Sequence, residues 1–425
     1  MRNFLRWSAV LTAMLLVLAA CQPAGSGSPS EGAESAAVST GQDAAAACAA
    51  DEFDCVEVAA GDPIVLGTSL VITGANSSLG LDSQYGAQVA LNIRGQVLGH
   101  DVELDNQDDG CSADGGTASA NLLKSKPEIA AVIGTSCSSA GIPAAQILSE
   151  AGILLVSPSN TAPSLTDPAS HSPFYARTAH NDKVQGAAMA QYACEELGVT
   201  SAATIHDGSP YAQQLQQVFA DNFASQCDGN VTVQESITVG QTDFASLLAS
   251  IATSNDGAAP ALLYFPVFIA EGALIAQQAR QNSALDDTLL AGADGVFSPD
   301  FVAAAGAAAE DMYFSGPDLA FAGTFYEDTF LPEYKTVSGE DAPTAPFHAH
   351  AYDATNMILD AIEEVAIDEG GTLFIPRTAL KDAFLATSGY AGITGSLTCN
   401  PDGDCADAKI SVSQLQNGEY VRLWP

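Results

Sequence analysis

Ile129-Ala-Ala-Val-Ile133 running into Gly134-Thr-Ser-Cys-Ser-Ser139, and Ile153-Leu-Leu-Val156 running into Ser157-Pro-Ser-Asn-Thr161, decide the fold of this chain. Each is a short apolar, strand-like run that ends in a cluster of hydroxyls. Between them residues 143–151 read as one helix, with Ile142, Gln146, Ile147 and Leu148 spaced for a buried stripe. Strand, short helix and strand within about thirty residues make a right-handed crossover onto a parallel sheet. In such sheets the carboxyl ends of neighbouring strands open into the crevice where ligands bind. Here those ends present Ser138, Ser139, Asn160 and Thr161 together with free backbone groups, a chemistry that suits a small polar molecule. One such loop alone would be read as turn formers and helix caps. Two adjacent loops joined by a tight crossover favour a site.

The same stretch, Gly134-Thr-Ser-Cys-Ser-Ser139 followed by Ser157-Pro-Ser-Asn-Thr-Ala-Pro163, resembles the leucine/isoleucine/valine-binding proteins, the extracytoplasmic receptors of ABC importers. The likeness extends over most of residues 62–425. It implies an α/β fold of two doubly wound parallel-sheet lobes joined by a three-strand hinge, the clamshell of type I periplasmic binding proteins. Lobe 1 would comprise residues 62–180 plus 317–392, and lobe 2 residues 181–316 plus 393–425. The crossings would fall near residues 179–180, 315–317 and 392–394. Alternating patterns read from the residues agree with two such units. Strands at 64–70 and 102–105 alternate with helices at 82–91 and 116–123. A second series runs from a helix at 184–197 to a strand at 288–291, and each series suffices for a doubly wound domain.

The ends and the composition set the compartment. Arg2 and Arg6 precede an apolar core at residues 10–20 that is too short to span a bilayer comfortably, so residues 1–20 read as an export signal. Leu18-Ala19-Ala20-Cys21 matches a lipoprotein processing box, which makes Cys21 the expected lipid acceptor and membrane anchor. Residues 22–47 are Gly-, Ser-, Ala- and acid-rich without an apolar period and read as a flexible tether, with a reach of roughly 30 Å. Past the tether, the chain exceeds what one core usually supports. With Cys21 lipidated, eight of the nine cysteines remain, an even number suited to an oxidising compartment. The resemblance implies a Cys111–Cys137 disulfide; proximity in sequence suggests Cys48–Cys55, Cys194–Cys227 and Cys399–Cys405. A net charge of −38 excludes nucleic acid as a partner, because phosphate binding needs a cationic face.

A free α-amino acid brings a carboxylate and an ammonium, and each must be matched on burial. Hydroxyls and N–H groups at a helix start suit the carboxylate; Ser138 and Ser139 lie at such a start, and Thr161 can serve either end. The resemblance implies that Asp294, in Ala291-Gly-Ala-Asp-Gly-Val-Phe297, contacts the ammonium from the second lobe. It also implies that Tyr211 and Phe268, each beyond a lobe 2 strand, cover the ligand's apolar side chain, and that Leu79 takes a place where relatives put an aromatic. Leu79 and Phe268 make the pocket apolar, so a branched-chain or other apolar amino acid is the expected ligand. The expected partners are an ABC permease with its ATPase, and a monomer is expected. A lipid-anchored sensor built on the same clamshell is the alternative. A secreted hydrolase is disfavoured: Ser138, His206 and Asp207 supply triad types, but no Gly-x-Ser-x-Gly elbow or phosphate loop accompanies them. His348-Ala-His350 lacks a third ligand at metal spacing and Asp402-Gly-Asp404 lacks a full calcium loop, so neither metal nor cofactor is expected.

Overall fold

A computed structural model describes residues 43–425, which form one compact unit containing two parallel-sheet lobes. The export signal, Cys21 and the tether as far as residue 42 lie outside the described residues. In lobe 1 five parallel strands lie in the order Val102–Asp108, Ile64–Leu70, Ile129–Gly134, Leu154–Ser157, Tyr175–Arg177. Ile129–Gly134 is buried along its whole length, as expected of an uninterrupted apolar run covered by helices on both faces.

Lobe 2 repeats the arrangement. Its sheet runs Asn230–Ser236, Ser201–His206, Leu262–Tyr264, Leu289–Gly292, Tyr313–Pro317, and then adds Ile410–Gln416 and Glu419–Trp424 as antiparallel strands. In both sheets the first strand in sequence lies between the second and the third. The winding direction therefore reverses between first and third strands, and the crevice at their carboxyl ends is where this topology receives ligands.

Three expectations need correction. The crossover helix is Ser138–Ser149, five residues earlier than its expected start, with Pro143 inside its first turns. Its buried face is Ala140, Ala144, Ala145 and Leu148, while Ile142 is 41% exposed. Small residues let this helix approach its neighbour, and that advantage outweighed the larger apolar side chains in setting the face. The expected tether ends early: Ala44–Ala50 is a helix capped by Asp43, with Ala44 buried, and the Cys55–Val58 strand pairs with Thr372–Pro376. Finally, residues 393–405 pack on lobe 1. Leu397 and Cys405 join its core, and the backbone of Arg177 bonds to Gly403 and Cys405. The third passage between lobes falls at residues 406–409, beside Thr178, His180, Pro317 and Asp318 of the other two.

The structure joins Cys48 to Cys55, Cys111 to Cys137, Cys194 to Cys227 and Cys399 to Cys405. Lobe 1 also depends on Ser77–Arg94 lying against His348–Val365. Buried Asp82 on the first helix accepts the N–H groups of Phe347 and His348 and the Tyr334 hydroxyl, so it caps the second helix from outside. His348, one of the paired histidines, also turns Nδ1 to this carboxylate. Gly86 makes the close approach possible, because a Cβ there would lie 2.0 Å from the His348 carbonyl oxygen. Gly86→Ala is therefore expected to destabilise the protein by about 3 kcal/mol through helix displacement. Urea denaturation measures this, and an unchanged midpoint would show that the two helices do not need their present separation.

Candidate functional site

The loops that follow the first and third strands of each sheet meet between the lobes. In lobe 1 these are the segment leading to helix Ser77–Arg94, which carries Leu79, and the turn Gly134–Cys137 leading to Ser138. In lobe 2 they lead to Tyr211 and Phe268. Leu79, Cys137 and Val71 of lobe 1 form one buried cluster with Tyr211, Phe268 and Ala293 of lobe 2. The Tyr211 and Phe268 rings lie 5.2 Å apart, so they present a continuous apolar wall. Across the rim Ser164 N–H donates to Gln214 Oε1 at 2.9 Å, and the Gln214 amide donates back to Ser164 Oγ at 2.9 Å. The lobes are closed on each other in this structure.

The lobe 1 floor is held by a buried carboxylate. Asp109 accepts the Ser136 N–H and the Cys111 N–H, both at 2.7 Å. Through these bonds and the Cys111–Cys137 disulfide, the turn before Ser138 is fixed across the central crevice to the segment that follows strand Val102–Asp108. Burial pushes the Asp109 carboxyl up to about 7. Ser138 opens the helix, and its Oγ accepts the Ala162 N–H at 3.2 Å. The helix start has no side-chain cap. Its first N–H groups therefore face the cleft end of the sheet, where they favour an anion.

Two of the expected residues serve the loops instead. The Asn160 amide donates to Thr135 O at 2.8 Å, and its Oδ1 accepts the Thr135 hydroxyl at 3.1 Å. Its side chain is thus consumed in joining two loops. Ser139 Oγ donates to Cys111 O at 3.1 Å, away from Ser138. One residue along a helix rotates a side chain by about 100°, which suffices to turn it out of the cleft. Thr161 is different: it is 1% exposed, and its hydroxyl lies near the Asp182 carboxyl without a well-formed bond to any described residue.

Asp294 lies 5% exposed beyond the fourth strand of lobe 2. Its Oδ1 accepts the Tyr211 hydroxyl at 3.0 Å and the Gln185 amide at 2.7 Å. Gln185 in turn reaches the Ser315 carbonyl at 3.1 Å, which ties Asp294 to the second hinge strand. Asp182 is wholly buried near it; neither carboxylate oxygen makes a well-formed hydrogen bond among the described residues, though the Thr161 hydroxyl and the Arg177 charge both favour its ionised form. Burial and then the Asp294 charge hold the Asp182 carboxyl well above the usual carboxylate range. Tyr211 is pushed up by burial and by the same two acids, so it stays a neutral donor. His180, at the first hinge crossing, is pushed down by burial and stays neutral at pH 7.

Sequence reasoning missed Asp182 and Gln185. Both lie on the buried face of helix Asp182–Glu195 with Gly186 and Met189. Polar residues at that spacing on an otherwise apolar face were the available signal. A separate cavity of about 430 Å³ opens to one side, lined by Phe297, Tyr326, His348 and Tyr420, and it shares Ala345 with the apolar cluster.

Residues 63–419 match the family described as periplasmic binding protein. The chain is 30% identical over 329 residues to the leucine-specific-binding protein of Salmonella typhimurium, spanning 76% of this chain and 82% of that protein. It is 26% identical over 365 residues to Leu/Ile/Val-binding protein homolog 3 of Brucella melitensis, spanning 85% and 93% respectively. Among solved structures, a leucine-binding protein from Thermotoga maritima matches with a TM-score of 0.74 at 26% identity, over 85% of this chain and 97% of that one.

The buried carboxyls set a pH dependence. Asp109 in the floor and Asp353, raised by burial to about 6, keep protons in the folded state that the unfolded chain releases near pH 4. A raised carboxyl makes stability fall as pH climbs from about 4 to about 7 and level off above that. The Asp109 contribution is on the order of 4 kcal/mol. Melting temperature measured across that window should decline in the native chain and decline less in Asp109→Asn. Identical slopes in the two proteins would show that this carboxyl is not the titrating group.

Proposed function

Since the chain belongs to the periplasmic binding protein family, among the leucine/isoleucine/valine-binding proteins, we propose that it captures a free amino acid with an apolar side chain between its lobes and passes it to an ABC importer. The observation that carries this reading is the pair of buried acids: Asp294 receives the Tyr211 hydroxyl and the Gln185 amide, whereas Asp182 has only the Thr161 hydroxyl near it and no well-formed bond among the described residues. Two desolvated carboxyls near each other are unfavourable until a cation lies between them. An ammonium group supplies that charge and three donors. The ligand's carboxylate would meet the Ser138 hydroxyl and the uncapped N–H groups of helix Ser138–Ser149. Thr161, whose hydroxyl lies near the Asp182 carboxyl, would serve either end. The apolar side chain would lie against Leu79, Tyr211 and Phe268, whose burial excludes a charged one.

Binding makes and breaks no covalent bond. Ligand favours the closed form by the contacts that exist only when Asp294 and Tyr211 stand opposite Ser138 and Thr161. A permease with its ATPase would then recognise the closed form. Residues 1–20 act as the export signal and Cys21 as the lipid anchor on the outer face of the membrane, with the protein working as a monomer. No helix among the described residues is long and apolar enough to cross a membrane.

A thermal-shift panel of the twenty amino acids should single out apolar ones, with a rise of several degrees at about 100 times the dissociation constant. Asp294→Asn should weaken that ligand by roughly 100-fold or more, because a buried ammonium loses its counter-charge. Asp182→Asn should weaken it by at least about tenfold. Equal affinity in both variants, or stabilisation by simple carboxylic acids lacking an amine, would remove the ammonium from the account.

A further inference from the structure

Arg177 is completely buried at the last residue of the fifth strand of lobe 1, immediately before the first hinge crossing. Its Nη1 donates to the carbonyls of Asn160 at 3.1 Å and Ala162 at 2.9 Å, the residues on either side of Thr161. Its Nη2 donates to Thr166 Oγ1 at 2.6 Å. Its charge is matched by Asp404, which comes from far along the chain and ion-pairs with Nε. Asp404 also accepts the Thr166 hydroxyl at 3.0 Å and the Asn181 amide at 3.2 Å. Asn181 caps the helix that carries Asp182 and Gln185. A single carboxylate therefore touches the supports of both halves of the cleft.

Asp404 is held in place by a small closed loop. Cys399 and Cys405 are joined, and Asn400 Oδ1 accepts the N–H groups of Asp402 and Asp404, both at 3.0 Å. Gly403 lets the loop run flat against the sheet edge, because a Cβ there would lie 2.4 Å from Tyr175 O. Arg177 N–H donates to Gly403 O at 2.8 Å and Cys405 N–H donates to Arg177 O at 3.0 Å, so the loop extends lobe 1 by one bridge.

We propose that Arg177 and Asp404 are positioning residues for the ligand, with the Cys399–Cys405 loop as the brace that sets how firmly Thr161 is presented. The link to affinity rests on the cleft being the amino-acid site. The guanidinium fork fixes two carbonyls around Thr161, and a lysine could not hold both. Removing Asp404 leaves a buried cation without its partner, and the fork then loosens from the carbonyls it shapes.

The test uses the whole chain in two arms. In the first, hydrogen–deuterium exchange of unliganded protein compares peptides covering residues 157–166 and 178–185. Asp404→Ala and Cys399→Ser/Cys405→Ser should speed exchange there by about tenfold or more, whereas Asp341→Ala, at an exposed ion pair, should not. Arg177→Lys should behave like Asp404→Ala, and Asp404→Glu should recover most of the protection. In the second arm, calorimetry with L-leucine should show roughly tenfold to 100-fold weaker binding in Asp404→Ala and near-native binding in Asp404→Glu. Unchanged exchange in Asp404→Ala overturns the positioning role. Faster exchange with native L-leucine affinity overturns the link to binding. If native protein ignores L-leucine and every other amino acid, the functional reading fails while the exchange arm still decides the brace.

Discussion

Two acids, Asp182 and Asp294, buried in a closed cleft near enough for the charge of one to hold a proton on the other, are the constraint around which this molecule is arranged. Burying one charge without a partner costs several kcal/mol, and a second like charge adds to that cost. Asp294 is stabilised by the Tyr211 hydroxyl and the Gln185 amide, each itself locked by further bonds to Gly295 and Ser315. Asp182 has only the Thr161 hydroxyl nearby and no well-formed bond among the described residues, and its burial keeps it inclined to hold a proton. A socket of this kind is incomplete in electrostatic terms, which is the property expected of a receptor for a small cation-bearing solute.

The fold supplies the socket by using one topology twice. Each sheet places its first strand between its second and third, so each lobe offers one reversal crevice. Closure brings the two crevices face to face, with Leu79 and Ser138 from one side and Tyr211 and Phe268 from the other. The division of labour follows from local chemistry. Lobe 1 contributes a helix start and hydroxyls, while lobe 2 contributes acids and aromatic rings.

Cations are scarce in this chain, 13 against 51 acids, yet two guanidiniums lie inside lobe 1. Arg177 and Arg377 both donate to backbone carbonyls, the first around Thr161 and the second at Pro127 and Ile129 where the central strand begins. Their use there follows from the planar fork, which satisfies several carbonyl oxygens at once in a way that few other side chains can. The surface keeps the excess acid, where water screens it.

The strand runs and the hydroxyl-ending loops were legible in the sequence, because each depends on residues within a few positions of one another. Asp294, Tyr211 and Phe268 were picked out by the family resemblance, since locally an acid-glycine pair reads as a turn and a lone aromatic as core. Two-strand periodicity and turn chemistry are local, and an uninterrupted apolar run such as Ile129–Gly134 announces a covered strand whatever surrounds it. The third hinge passage was misplaced because residues 393–405 are drawn to lobe 1 by Arg177 and by the lobe 1 core, more than 200 positions away in sequence for Asp404. Asn160 and Thr161 looked equivalent as neighbours, and only packing turned one into a brace and left the other without a well-formed bond. Asp182 was not singled out in the sequence, where it lies ahead of the expected helix start, and only the structure shows that it is buried under the influence of Asp294. By itself the amino-acid sequence determined which segments become strands, helices and turns, since those choices are settled by short-range periodicity. Only the tertiary structure decided which polar side chains are satisfied within the protein, since burial and long-range pairing exist only after the lobes have formed.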